Sequence, residues 1–230
     1  MTGYILLEGG AEFGGRMADP DRRAIELAGG LDARISVIPA AAAPDNNHQR
    51  AGDNARRWFE YLGAKHVTVL PLIDRASANE MVVADALRHS GLVYLLGGFT
   101  HYLGQTLAGS ASWQAMLEAY RKGAVVGGSS AGAMVLCEYY YDPDSGRVVE
   151  GLNLLPNACI LPHYNTFGKG WASKLATLLP NQVLVGIDER TGMLDDGEDG
   201  TWHVYGHGAV TLHRGAQVTS YAERQGFVLA

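Results

Sequence analysis

The chain has 230 residues, 47% of them hydrophobic, with a formal net charge of −6. That is enough apolar material for a full core and predicts one α/β domain over residues 1–230. Its 18 Lys and Arg residues are scattered rather than clustered, which argues against nucleic-acid binding and against a basic membrane face. The opening Met1-Thr2-Gly3-Tyr4 carries no basic region followed by an apolar segment, and no apolar run is long enough to span a bilayer. A soluble, cytoplasmic protein with no membrane partner is therefore expected. Cys137 and Cys159 are the only cysteines and lack C-x-x-C spacing, so two buried thiols are expected rather than a disulfide framework.

In chain order, β-rich runs at Tyr4 to Leu7, Arg34 to Pro39, His66 to Leu72, Leu92 to Leu96, Ala124 to Val126 and Val183 to Ile187 alternate with helical patterns. Such alternation predicts a mostly parallel sheet flanked by helices. Asp19-Pro20 opens a helix that Gly29-Gly30 stops. Ala51, Ala55, Trp58, Phe59 and Leu62 recur at helical spacing up to Gly63, and further helices are expected over Ser77 to His89 and Trp113 to Lys122. Tyr139 to Gly146 reads as a strand end and turn that interrupts the winding. A helix with Trp171, Leu175, Leu178 and Leu179 on one face, stopped by Pro180, resumes the core. Trp202 to Tyr205, Val210 to Arg214 and Val218 to Tyr221 predict a C-terminal antiparallel β meander.

Gly128-Ser129-Ser130-Ala131-Gly132-Ala133 follows the apolar run Ala124-Val125-Val126. A serine flanked by residues this small suits a sharp strand-to-helix turn, from which a hydroxyl projects toward a substrate carbonyl. Neither the Lys-Ser/Thr of a phosphate loop nor a full G-x-G-x-x-G is present. Ser130 is thus the candidate nucleophile, and the amides opening the next helix are placed to face an oxyanion. Such a hydroxyl needs a base, and the base needs an orienting group. His163 follows the apolar run that begins at Ala158, where a strand would end, and strand ends are where open α/β sheets gather active residues. Glu189, just past Val183 to Ile187, is the leading candidate acid. Asp188 competes with it, because strand alternation sends the two side chains in opposite directions. Asp142 and Asp144 are weaker candidates. Gly97-Gly98, at the end of another strand, offers bare amides for an oxyanion hole.

His101, Tyr164, Asn165 and Lys169 are the candidate substrate-binding residues. His203 and His207 are spaced i, i+4 without the glutamate of H-E-x-x-H, and Asp195 to Gly200 lacks the spacing of a calcium loop and reads as a solvated hairpin turn. No metal and no cofactor is expected. The alternatives to a peptidase are an esterase that orders its groups Ser, acid, His, and so would use His203, His207 or His213, and a non-catalytic binding protein on a similar scaffold.

Gly97-Gly98, Gly128 to Ala133, Pro162-His163-Tyr164 and Gly186 to Thr191, in that order, resemble the family of dipeptidase E and cyanophycinase. The resemblance implies a class I glutamine amidotransferase-like, flavodoxin-like fold in which serine replaces the amidotransferase cysteine. It implies Ser130 as nucleophile, His163 as base, Glu189 as third member, and the amides of Gly98 and Ala131 as the oxyanion hole. The implied activity is hydrolysis of dipeptides or short peptides, including those with an N-terminal aspartate. Leu161-Pro162-His163-Tyr164 and Phe99-Thr100-His101 depart from the acidic and glutamine-rich stretches of cyanophycinases, and no arginine occurs between Asn165 and Lys174 to meet an aspartate.

Overall fold

A computed structural model describes residues 3–229. The chain begins with β1 (Tyr4–Glu8), α1 (Ala18–Leu27), β2 (Arg34–Ile38), α2 (His48–Tyr61), β3 (His66–Val69), α3 (Met81–Arg88) and β4 (Leu92–Leu95). It continues through α4 (Thr100–Leu107), α5 (Ala111–Arg121), β5 (Val125–Ser129) and the short α6 (Ala131–Val135). Strands β1, β5, β4, β2 and β3 lie side by side and parallel, as apolar runs buried on both faces require. Helices α1 and α2 cover one face through Ala24, Ile25, Ala55 and Phe59. Helices α3, α5 and α6 cover the other through Val83, Met116 and Val135. Each of the larger buried side chains among them, Ile25, Phe59, Val83, Met116 and Val135, contributes about 1.5–3 kcal/mol of transfer free energy. Ser110 caps α5 by accepting the Trp113 N–H at 3.0 Å, a bond worth about 1 kcal/mol.

After α6 come the hairpin β6 (Tyr139–Asp142) and β7 (Arg147–Glu150), then β8 (Ala158–Leu161), α7 (Ala172–Leu178), β9 (Val183–Ile187) and β10 (Thr191–Leu194). The chain ends with β11 (Thr201–Gly206), β12 (Ala209–Arg214), β13 (Gln217–Ala222) and β14 (Gly226–Val228). The fold is thus α/β, a mostly parallel central sheet flanked by helices with antiparallel C-terminal strands. These strands do not form one meander: β10, β11 and β14 extend the main sheet beside β1, whereas β12 and β13 join β9 and β8 in a second, four-stranded sheet. The two residues His207 and Gly208 carry the chain from one sheet to the other, so the expectation that Val183 to Ile187 joins the main sheet is corrected too.

Two helices also differ from the periodic reading. The segment from Ser77 is broken at Glu80 (φ −72°, ψ 128°), leaving a 3₁₀ turn Ser77–Asn79 before α3. The Ser77 hydroxyl accepts the amides of Ile73 and Asp74, and such local bonds compete with the helical ladder. Helix α4 was not legible because Thr100, Thr106 and Gly104 are poor helix formers; packing against α6 and Tyr140 holds it instead. Among the described residues no helix is long and apolar enough to cross a membrane.

Candidate active site

The C-terminal ends of β1, β5, β8 and β9 converge. Close packing makes the turn after β5: a Cβ on Gly128 would press on the Gly132 backbone, and one on Gly132 would overlap the carbonyl of Leu95. With both positions bare, α6 sits directly on β4 and β5. Ser130, the turn residue, holds φ 50° and ψ −113°, a conformation that costs a non-glycine residue about 1–3 kcal/mol. Its N–H donates to the Glu8 carbonyl at 3.0 Å, which fixes the elbow to the end of β1.

His163 also has a positive φ, 50°, and its N–H donates to the Gly9 carbonyl at 2.7 Å. Its own carbonyl accepts from the Thr166 and Gly168 amides at 3.0 and 2.9 Å and from the Thr166 hydroxyl at 3.0 Å. The backbone of His163 is therefore tied on both sides. The imidazole Nε2 lies 3.0 Å from the Ser130 Oγ, and Nδ1 lies 2.8 Å from the Glu189 Oε1. Phe167 stacks on the imidazole with a centroid separation of 4.8 Å, and Trp171 packs edge-on against Phe167. This aromatic cover was not anticipated from sequence.

Glu189 and Asp188 point apart. The Glu189 N–H donates to the Asn165 Oδ1 at 2.9 Å, whereas the Asp188 carboxylate accepts the Ala209 N–H at 2.9 Å. Asp142 is turned into the β6–β7 hairpin, where it accepts from Ser145. His203 bonds Asp196 and His213 bonds the Tyr164 hydroxyl, whereas the histidine in contact with the Ser130 Oγ is His163. His207 is exposed. Among the described residues, no backbone carbonyl outside the regular helices and strands takes up the amides of Gly98 or Ala131.

The four candidate substrate-binding residues fall in different places. Tyr164 is buried, its ring fills the space above Gly186, and its hydroxyl reaches the His213 Nε2 at 2.7 Å. Asn165 supports the Glu189 backbone. His101, half-buried on α4, bonds the Tyr140 hydroxyl at 2.9 Å. Lys169 is exposed, and its charge adds to burial in holding His213 below the usual histidine range.

Acidic groups behind Ser130 were not anticipated. Glu8 ends β1 fully buried, accepting from the Tyr94 hydroxyl. Asp21 beside it is also fully buried and accepts the Trp58 Nε1–H at 2.7 Å. Burial and the neighbouring carboxyl push Glu8 well above the ordinary carboxylate range, and burial pushes Asp21 up to about 7. Glu8 Oε1 and Asp21 Oδ1 have no hydrogen-bond partner, and a proton held by one acid and donated to the other would satisfy both. Nearer the surface, Glu12 accepts from the Ser129 hydroxyl at 2.9 Å. A polar residue at the end of a parallel strand is the signal that would have pointed to Glu8. Asp195 and Asp196 are not a solvated turn either: the first accepts the Ile5 N–H and the second, 4% exposed, gathers Arg23, His203 and Tyr205. Both cysteines are buried free thiols, and burial pushes Cys159 up to about 12.

The chain is 29% identical over 238 residues to the cyanophycinase of Synechococcus elongatus, covering 96% of this chain and 71% of the relative. It is 28% identical to the cyanophycinase of Geminocystis herdmanii, covering 94% and 82%. A peptidase from an acI-B1 actinobacterium, solved by crystallography, superposes with a TM-score of 0.89 at 27% identity, over 99% of this chain and 97% of that one. The family model for peptidase family S51 matches residues 5–201, so the protein is a peptidase and belongs to family S51.

Proposed function

We propose that this peptidase is a serine enzyme acting on dipeptides or short peptides through Ser130, His163 and Glu189. The observation that carries the reading is the unbroken line from the Ser130 Oγ to the His163 Nε2 at 3.0 Å and from Nδ1 to Glu189 at 2.8 Å. His163 takes the hydroxyl proton as Ser130 attacks the scissile carbonyl. The amides of Gly98 and Ala131 receive the charge that develops on the carbonyl oxygen. The C–N bond then breaks, the leaving amine takes the proton from Nε2, and an acyl ester on Ser130 remains. Water attacks that ester with His163 again as base, releasing the acid and restoring the hydroxyl. Glu189 stays ionised throughout, accepting the Nδ1–H and stabilising the imidazolium. None of these steps calls for a metal or a cofactor.

The test is hydrolysis of a dipeptide and short-peptide library without added metal, beside Ser130→Ala. Loss of turnover by roughly 10³-fold or more in a variant with unchanged thermal unfolding is expected. Residual peptidase activity near that of the parent protein would overturn the mechanism. Peptides with N-terminal aspartate and a cyanophycin-type aspartyl-arginine conjugate belong in the same panel, because the relatives are cyanophycinases.

A further inference from the structure

Phe167 is 54% exposed although it lies on the imidazole of His163, the two rings inclined by 24° at a centroid separation of 4.8 Å. One face of the phenyl ring is thus taken by the histidine, and much of the remainder is open. The turn that presents it is closed by the Thr166 and Gly168 amides, which both donate to the His163 carbonyl. A Cβ on Gly168 would overlap the Pro162 carbonyl, so this turn closes only around a bare residue.

Behind Phe167 the support continues in a row of rings. Trp171 packs edge-on against it at 5.5 Å, Tyr141 packs on Trp171 at 5.1 Å, and the Lys174 Nζ stands over Tyr141 at 4.8 Å. Tyr141 is buried, and Lys174 donates to the Gly146 carbonyl at 2.8 Å, so the row is anchored in the β6–β7 hairpin. The phenyl ring is therefore oriented before any ligand arrives, and binding to it costs little side-chain entropy.

The other sides of the imidazole are occupied by polar groups and backbone. Glu189 holds Nδ1, the Ser130 Oγ faces Nε2, and bare Gly10 backbone lies against the ring nearest Cε1. The leaving amine takes its proton from Nε2, which brings its nitrogen within about 3 Å of that atom. The side chain of the leaving residue begins two bonds from this nitrogen, about 2.5 Å further. A long apolar side chain starting there reaches the open part of Phe167 and removes both surfaces from water. We propose that Phe167, braced by Trp171, is the specificity residue for the side chain that follows the scissile bond, and that the substrates are peptides with a large apolar or aromatic residue at that position. This rests on the reading of Ser130 as nucleophile and His163 as the proton donor to the leaving amine.

The experiment measures kcat/KM on dipeptides that share one first residue and carry Ala, Leu or Phe as the second. It uses the unmodified protein, Phe167→Ala and Phe167→Tyr, with fluorophosphonate labelling of Ser130 in each. The unmodified protein should prefer Leu and Phe over Ala by roughly 10-fold or more. In Phe167→Ala that ratio should fall to within about threefold, whereas Phe167→Tyr, which keeps the flat ring, should retain it. Each ratio is read within one protein, so a variant of lower overall activity or stability still decides the point. A ring that serves only to cover the imidazole predicts equal losses on all three peptides. An unchanged ratio in Phe167→Ala, or no preference in the unmodified protein, would overturn the assignment. Cleavage without labelling of Ser130 would instead remove the serine mechanism, and the ratios would still decide the role of Phe167.

Discussion

Glu189 and Asp188 are neighbours with opposite surroundings, and the difference can be measured one carboxylate at a time. Glu189 accepts from the Nδ1 of His163, while Asp188 accepts a backbone amide of β12. Glu189→Gln removes the charge that stabilises an imidazolium and allows the amide to donate to Nδ1, which favours the wrong tautomer. A fall in kcat of about 10³- to 10⁴-fold with little change in KM is expected. Asp188→Asn keeps an acceptor for the Ala209 amide and should leave kcat within about threefold, because nothing it touches is in line with Ser130. Steady-state kinetics of the two variants on one dipeptide decides between them; equal losses would mean that the base is oriented by a different carboxylate from the one seen in contact.

At the scale of the element, the end of β1 organises the site. The carbonyls of Glu8, Gly9 and Gly10 accept in turn the N–H groups of Ser130, His163 and Arg190, so three consecutive residues tie together the loops that follow β5, β8 and β9. Gly10 is also where the imidazole lies against bare backbone: at φ 106° an added Cβ would overlap the His163 ring. Gly10→Ala should therefore cost more than 10²-fold in kcat through displacement of the base, with a stability loss of only about 1–3 kcal/mol. Comparing kcat with thermal unfolding tests this, and a variant with the parent's kcat would show that the strap does not set the base. The same elements explain how far the site was legible. The runs ending near Ser130, His163 and Glu189 are apolar and β-rich, and the topology of parallel strands brings such ends together. Side-chain directions past those ends were not legible. The positive φ of His163 breaks strand alternation, so Tyr164 turns into the core toward His213 and Asn165 toward Glu189. Glu12 was hidden for a similar reason, since its partner Ser129 is 117 residues away and its loop alternates between ordinary and left-handed backbone.

For the molecule as a whole, the acid pair behind Ser130 couples stability to pH. Both groups have raised values in the folded state, Asp21 to about 7 and Glu8 well above the carboxylate range, chiefly through burial, against about 4 in an unfolded chain. A raised carboxyl makes its full contribution below the unfolded value, where both states are protonated. Stability is then lost as pH rises through the folded value, because the unfolded chain ionises first. The window for Asp21 is thus about pH 4 to 7. Asp195, which burial also raises to about 7, adds a loss of the same sign that every variant at position 21 shares. Asp21→Asn isolates the pair: it is neutral at every pH, its oxygen can accept the Trp58 Nε1–H, and its amide can donate to Glu8 in place of the shared proton. Its advantage over the parent protein should grow by a few kcal/mol between pH 5 and pH 8, which is a further rise in Tm of about 5 °C or more for a chain of this size. Thermal unfolding from pH 5 to pH 8 provides the measurement. Parallel Tm curves for the two proteins would mean that the proton is not held at this pair, whereas a gap opening with pH would locate it beneath Ser130, on the strand that holds Ser130 and His163 in register.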